Sequence, residues 1–162
     1  MNYTAQVLSN TFRVKNKDLV KRLIGSAGFY VDDYNEGGLC FYDNEDSAYL
    51  CDMNLVYYNG IPIVVQTDST VDEDFYYAIE EYTGVKEEDI DEDLIETQDF
   101  FIFLQTQLLD NESIQVTEVG HEGLRYQSAI GLVITKKTIK WIDLNRALRE
   151  VAERDYKEEL TK

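Results

Sequence analysis

The sequence predicts an α+β fold: one domain spanning residues 1–162, a mostly antiparallel sheet, and about four helices packed on it. Three observations carry the prediction. Runs of strand-like residues come in pairs joined by turn signals, which favours antiparallel neighbours. Helical periodicity is confined to a few separate segments. A single proline, Pro62, and no Gly/Ser-rich linker leave no sign of a domain boundary.

Along the chain, "QVLSNTFRV" is predicted as a strand. "NKDLVKRLIGSAG" is predicted as a helix, with Asn16 as its N-cap and Gly25 or Gly28 ending it. "FYVDDY" and "GLCFYD" flank "NEGG" as a hairpin. In "LVYYNGIPIVVQ", Asn59-Gly60 favours a tight type I′ turn, since both positions need positive φ. "TVDEDFYYAIEEYTG" has helical periodicity, with acids in its first turn and Gly84 as its stop. "LIETQDFFIFLQTQLL" is expected to be a second, largely buried helix, with a strand at 100–104 as the alternative. "SIQVTEVG", "LRYQSAIGLVIT" and "TIKWID" are three strands, with Lys136-Lys137 at the last turn. "DLNRALREVAERDYKEEL" closes the chain as a helix capped by Asp143. Leu144, Leu148 and Val151 are its expected inner stripe, and Arg146–Glu150 and Arg149–Glu153 its outer i,i+4 pairs. The predicted order is β-α-β-β-β-β-α-α-β-β-β-α.

The formal net charge is −17, with 44% apolar and 12% aromatic residues, a composition for a folded acidic protein. The charge is unevenly placed. Residues 29–119 hold 24 acids and one base, Lys86, whereas the segments on either side carry a small positive excess. Such a field repels nucleic acid and anionic membrane and attracts basic surfaces. Cys40 and Cys51 are the only cysteines. No charged-then-apolar leader and no apolar run of about 18 residues occurs. The expectation is a soluble cytoplasmic protein with reduced thiols.

Two terminal stretches, "SNTFRVKNKDLVKRL" and "EVGHEGLRYQSAIGLVIT…IKWIDLNRAL", resemble a family of small acidic proteins carried by phages, plasmids and integrative elements. The residues that carry the resemblance are Ser9, Asn10, Phe12, Val14 and Lys15, then Gly120, Glu122, Leu124, Arg125 and Tyr126. The resemblance implies a mobile-element setting. It assigns no catalytic residue and does not cover the acidic middle.

Six of the seven residues from Glu87 to Asp93 are carboxylates. A metal site is one reading. Asp89, Asp91 and Asp93 fit positions 1, 3 and 5 of an EF-hand loop, but Leu94 stands where glycine is required and Phe100 where a bidentate glutamate is required. No zinc spacing occurs either, so no metal or cofactor is expected. His121 with Glu122 as orienting partner, or with Cys40 or Cys51 as nucleophile, would form a catalytic set. The local pattern instead places His121 in an exposed turn and both thiols in buried strands. Lys15, Lys17, Lys21 and Arg22, with Lys136, Lys137 and Lys140, are the bases available for nucleic acid. The overall field opposes that use, and neutralisation of neighbouring acids is expected instead.

The remaining reading concerns the acidic face. On a helical wheel, Phe75, Ala78, Ile79 and Tyr82 form the inner stripe of the helix at 72–83. Glu73, Asp74, Tyr76, Tyr77, Glu80 and Glu81 face outward. With Glu87, Glu88, Asp89, Asp91, Glu92 and Asp93 they form a candidate partner-binding surface, since tyrosines set among charges are frequent interface anchors. The expected function is non-enzymatic: an inhibitor whose DNA-mimic-like surface occupies a basic nucleic-acid-binding site on a host defence protein, in the manner of anti-restriction and anti-CRISPR proteins. The alternatives are an immunity protein for a basic nuclease toxin, or a small ligand-binding protein or enzyme whose acidity is incidental.

Overall fold

Alternation in the first strand sets the two faces of the main sheet. In β1 (Thr4–Ser9), Val7 and Ser9 are buried while Leu8 between them is exposed, as a two-residue period requires. A computed structural model of the chain describes residues 4–43, 50, 53–66, 72–122 and 126–161. Among the described residues, nine strands form two antiparallel sheets. The larger runs β2-β3-β1-β7-β8-β9, where β2 is Tyr30–Asp33, β3 Leu39–Asp43, β7 Ile114–Glu122, β8 Tyr126–Ile134 and β9 Ile139–Asp143. The smaller runs β5-β4-β6, with β4 at Met53–Tyr58, β5 at Ile61–Gln66 and β6 at Ile95–Asp99. Four helices among the described residues complete the α+β fold: α1 (Lys17–Ser26), α2 (Asp72–Thr83), α3 (Phe100–Gln107) and α4 (Leu144–Leu160).

Local chemistry explains most of these elements. Asn16 caps α1, its side chain accepting from the Leu19 amide. Asn59 and Gly60 both have positive φ, 49° and 80°, so the β4–β5 hairpin turns as a type I′ turn demands. Gly84 ends α2 at φ 78°, its amide donating to the Glu80 carbonyl.

Two parts differ from the sequence reading. The segment expected as one helix from Leu94 is divided: residues 95–99 form β6, hydrogen-bonded along β4, and the helix starts at Phe100. Asp99 makes the break, its side chain accepting from the amides of Phe101 and Ile102. The helix, not the alternative strand, then holds Phe100, Phe101, Phe103 and Leu104 in the core. The other difference is α4. Asp143 caps it and Arg146 meets Glu150 at 3.1 Å, both as expected. Yet no residue of α4 is buried, Leu148 and Val151 stand exposed, and among the described residues no Arg149–Glu153 pair forms. The helix covers the main sheet only through its first turns, where Leu144 lies over Gly131.

The small sheet has a separate apolar partner on each face. Leu55 and Val64 join the main core with the inner faces of β1, β3, β7 and β8 and with α1 and α3. Val56, Tyr58, Ile63 and Val65 face the other way, onto Ile79 of α2. This second cluster is what holds the acidic segment to the body of the protein. Among the described residues, no helix is long and apolar enough to cross a membrane.

Candidate acidic interface

The carboxylates between α2 and β6 are held outward by three inward anchors. Val85, Ile90 and Ile95, five residues apart, pack against the second cluster. Between them run two 3-10 turns, Glu87–Asp89 and Glu92–Leu94. With the apolar residues fixed inward, Glu87, Glu88, Asp89, Asp91, Glu92 and Asp93 all face solvent. Backbone bonds fix the path: the Tyr58 hydroxyl accepts from the Asp91 amide at 3.3 Å, and the Asp91 carboxylate accepts from the Asp93 amide at 3.0 Å. The run is therefore an ordered array, not a loose acidic loop.

Helix α2 supplies the other half. Glu73, Asp74, Tyr77, Glu80 and Glu81 are exposed, as the wheel predicts, and Tyr77 is the most open ring at 70%. Tyr76 and Tyr82 exchange their expected places. Tyr76 is only half-exposed and packs on the second cluster, because the 84–95 segment returns along its side of the helix. Its hydroxyl donates to Glu92 Oε1 at 2.5 Å, which ties α2 to the second 3-10 turn. Tyr82 is instead exposed, with the Arg22 guanidinium 5.1 Å from its ring centre.

Neutralisation separates this array from the other acids. Among the described residues, no Lys or Arg lies within 4.0 Å of Glu73, Glu80, Glu81, Glu87, Glu88, Asp89, Asp91, Glu92 or Asp93. The bases go elsewhere. Lys17 and Lys21 converge on Asp33 at 2.8 and 3.5 Å, Lys136 pairs with Asp110, and Arg13 stands 3.9 Å from both Glu36 and Glu112. The hydrogen bond from Lys17 holds the Asp33 carboxyl below its ordinary range, and the one from Lys136 does the same for Asp110. Among the described residues, the neutralisation thus takes place at the edges of the acidic segment, away from those nine carboxylates.

Of the catalytic set, the structure places Cys40 and the backbones of His121 and Glu122; the His121 and Glu122 side chains lie outside the described residues. Cys40 is buried and its thiol donates to the Ser9 carbonyl at 3.3 Å, the environment of a packed hydrophobe. His121 is not in a turn: it pairs with Thr4 and Gln127 inside β7. Tyr42 of β3 pairs with Leu8, so the Cys40 and His121 backbones flank opposite ends of β1. Cys51, Leu124 and Arg125 lie outside the described residues. Among the described residues, no group of three His, Cys, Asp or Glu side chains could hold a metal ion. A cleft of about 430 Å³ is lined by Thr11, Arg13, Tyr34, Asn35, Glu36 and Gly38, but its one cation already faces Glu36.

Sequence reasoning missed two buried carboxylates. Asp43 and Glu118 are 1% and 4% exposed and flank Val7 in the register of the main sheet. Glu118 accepts from the Leu50 amide at 3.0 Å. The alternation that buries Ile114 and Val116 also points Glu118 inward, so the signal was present in the strand period. No family model, curated protein or solved structure matches the chain.

Proposed function

We propose that the protein is a non-enzymatic binder whose acidic lobe occupies a basic, nucleic-acid-binding site on another protein. One observation carries the reading: a fixed array of carboxylates in which Glu73, Glu80, Glu81, Glu87, Glu88, Asp89, Asp91, Glu92 and Asp93 meet no Lys or Arg among the described residues, carrying an open tyrosine, Tyr77. Acids that only keep a protein soluble need no fixed geometry. Here three apolar anchors and a tyrosine–carboxylate hydrogen bond set their positions before any partner arrives, which lowers the ordering cost of binding. DNA carries one charge per ~1.7 Å of axis, and a helix with adjoining acidic turns presents a dense negative surface of the same sign. Tyr77 supplies the ring that excludes water from the contact. The resemblance to small acidic proteins of mobile elements suggests a host defence nuclease as the target class.

The test is affinity capture from the native host with the wild type and with the Glu80→Lys/Glu81→Lys variant. The wild type is expected to retain a basic nucleic-acid-binding protein at low salt, to lose it at high salt, and to retain more than the variant does. Equal capture by both proteins, or capture indifferent to salt, refutes the reading.

A further inference from the structure

Helices α1 and α2 use opposite faces of strand β5. Val64 joins the main core with Val20, Leu23 and Ile24 of α1, whereas Ile63 and Val65 meet Ile79 of α2. Between the two helices lies a groove of about 290 Å³, lined by Ser26, Ile63, Val64, Ala78, Glu81 and Tyr82. Its lining is divided by chemistry. Ile63 and Val64 are buried and, with the half-buried Ala78, make an apolar floor, while Glu81 and Tyr82 are exposed at the rim. Among the described residues, no Lys or Arg lies within 4.0 Å of the Glu81 carboxylate. The Tyr82 ring shows what it can receive: the Arg22 guanidinium stands over it, 5.1 Å from its centre. Arg22 does not line the groove, so the groove meets the ring on a side that Arg22 leaves open.

We propose that this groove is a pocket for one arginine side chain of a basic protein. Each part of the lining matches a part of that side chain. The apolar floor takes the aliphatic stem, which long cationic side chains lay along apolar surface while the head stays at the rim. Glu81 accepts from the guanidinium, whose planar fork suits a carboxylate. Tyr82 offers its ring for the guanidinium plane to stack on. A lysine would find the floor and the carboxylate but would gain less from the ring. The size agrees, since the groove is smaller than the about 300–1,000 Å³ of ordinary small-molecule sites. Charge selects a cation over other occupants: Glu80 and Glu81 are neighbours on α2, at the border of the acidic array. The inference deepens the proposed function and rests on it for the nature of the partner. The guanidinium chemistry of the groove stands on the lining alone.

Amide NMR titration of the full chain tests the pocket without any host partner. The probes are an end-blocked tri-arginine peptide and, in a separate sample, an end-blocked tri-lysine peptide of the same charge. The expected shifts centre on Ser26, Ile63, Ala78 and Tyr82, and the arginine peptide binds roughly two- to fivefold more tightly, the margin a ring contact supplies. Tyr82→Leu removes that margin and keeps the weaker binding of both peptides. Glu81→Gln weakens both. Wild-type circular dichroism is expected for each variant, because both side chains are exposed in the folded chain. Equal affinity for the two peptides overturns the proposal, as do a margin that survives Tyr82→Leu, shifts confined to residues 87–93, and binding of neither peptide. Each of these outcomes leaves the capture experiment to judge the acidic lobe by itself. Conversely, a peptide seated in the groove with no salt-sensitive capture would sink the proposed function and not the pocket.

Discussion

Lys17 and Lys21 share Asp33, Lys136 meets Asp110, and Arg13 stands between Glu36 and Glu112, whereas Glu73, Glu80 and Glu81 meet no base among the described residues. The two regions differ in support as well as in charge. The ends of the chain join a large sheet whose inner face is the main core. The acidic lobe rests on a smaller cluster of five buried residues on the far side of the three-stranded sheet. Acids distributed among bases are neutralised locally, while acids set on a separate, well-anchored layer keep their field. Exposed ion pairs contribute little stability, so the paired acids chiefly neutralise the surface locally, and the others keep the charge that the proposed binding would use.

That comparison can be broken most forcefully at its base. Ile79 is fully buried and joins α2 to the small sheet. Ile79→Ala is expected to cost about 2–5 kcal/mol in denaturant unfolding and to loosen the acidic array along with the helix. A cost no larger than that of a surface change would mean the lobe is not held as described.

A smaller effect separates the two tyrosines. Tyr77→Ala should leave unfolding unchanged within about 0.5 kcal/mol while costing on the order of 2 kcal/mol in partner binding, seen as faster dissociation. Tyr76→Phe should do the reverse: loss of its hydrogen bond to Glu92 lowers stability by about 1 kcal/mol and leaves the water-excluding ring of Tyr77 intact. Unfolding curves and dissociation rates on the captured partner check both.

The smallest effect concerns the paired region. Asp33 titrates below the usual carboxylate range because Lys17 donates to its charged form. Its contribution to stability is therefore present above the ordinary carboxylate value and is lost as pH falls through the lowered one. Asp33→Asn should flatten the acid limb of the stability curve slightly and leave the neutral region nearly level. A carboxyl titration by NMR that places Asp33 at or above the ordinary value would contradict the pairing.

Much of the fold was legible in the sequence because local signals agreed with tertiary contacts. Asn16, Asn59-Gly60, Gly84 and Asp143 act where capping and turn chemistry place them. Strand β6 was not legible. Its pattern from Ile95 to Asp99 lacks strong alternation, and it is a strand because β4 offers an open edge. The Asp99 cap was the missed signal, since it permits a helix to start only after it. Within the site, the exposure of every candidate carboxylate followed from composition. The positions of Tyr76 and Tyr82 did not, because a helical wheel knows nothing of the segment that returns over one of its sides. The inner stripe of α4 expected at Leu144, Leu148 and Val151 was misplaced for a related reason: apolar spacing marks one side of a helix without showing how far the sheet reaches along it.

The central claim is that the acidic lobe stands where phosphates would. Competition on the captured partner measures it directly: a labelled DNA duplex bound to that partner is titrated with this protein, and the reverse titration follows. Mutual exclusion is expected, with the protein displacing the duplex and the Glu80→Lys/Glu81→Lys variant displacing it poorly. A stable ternary complex of partner, duplex and this protein would contradict it.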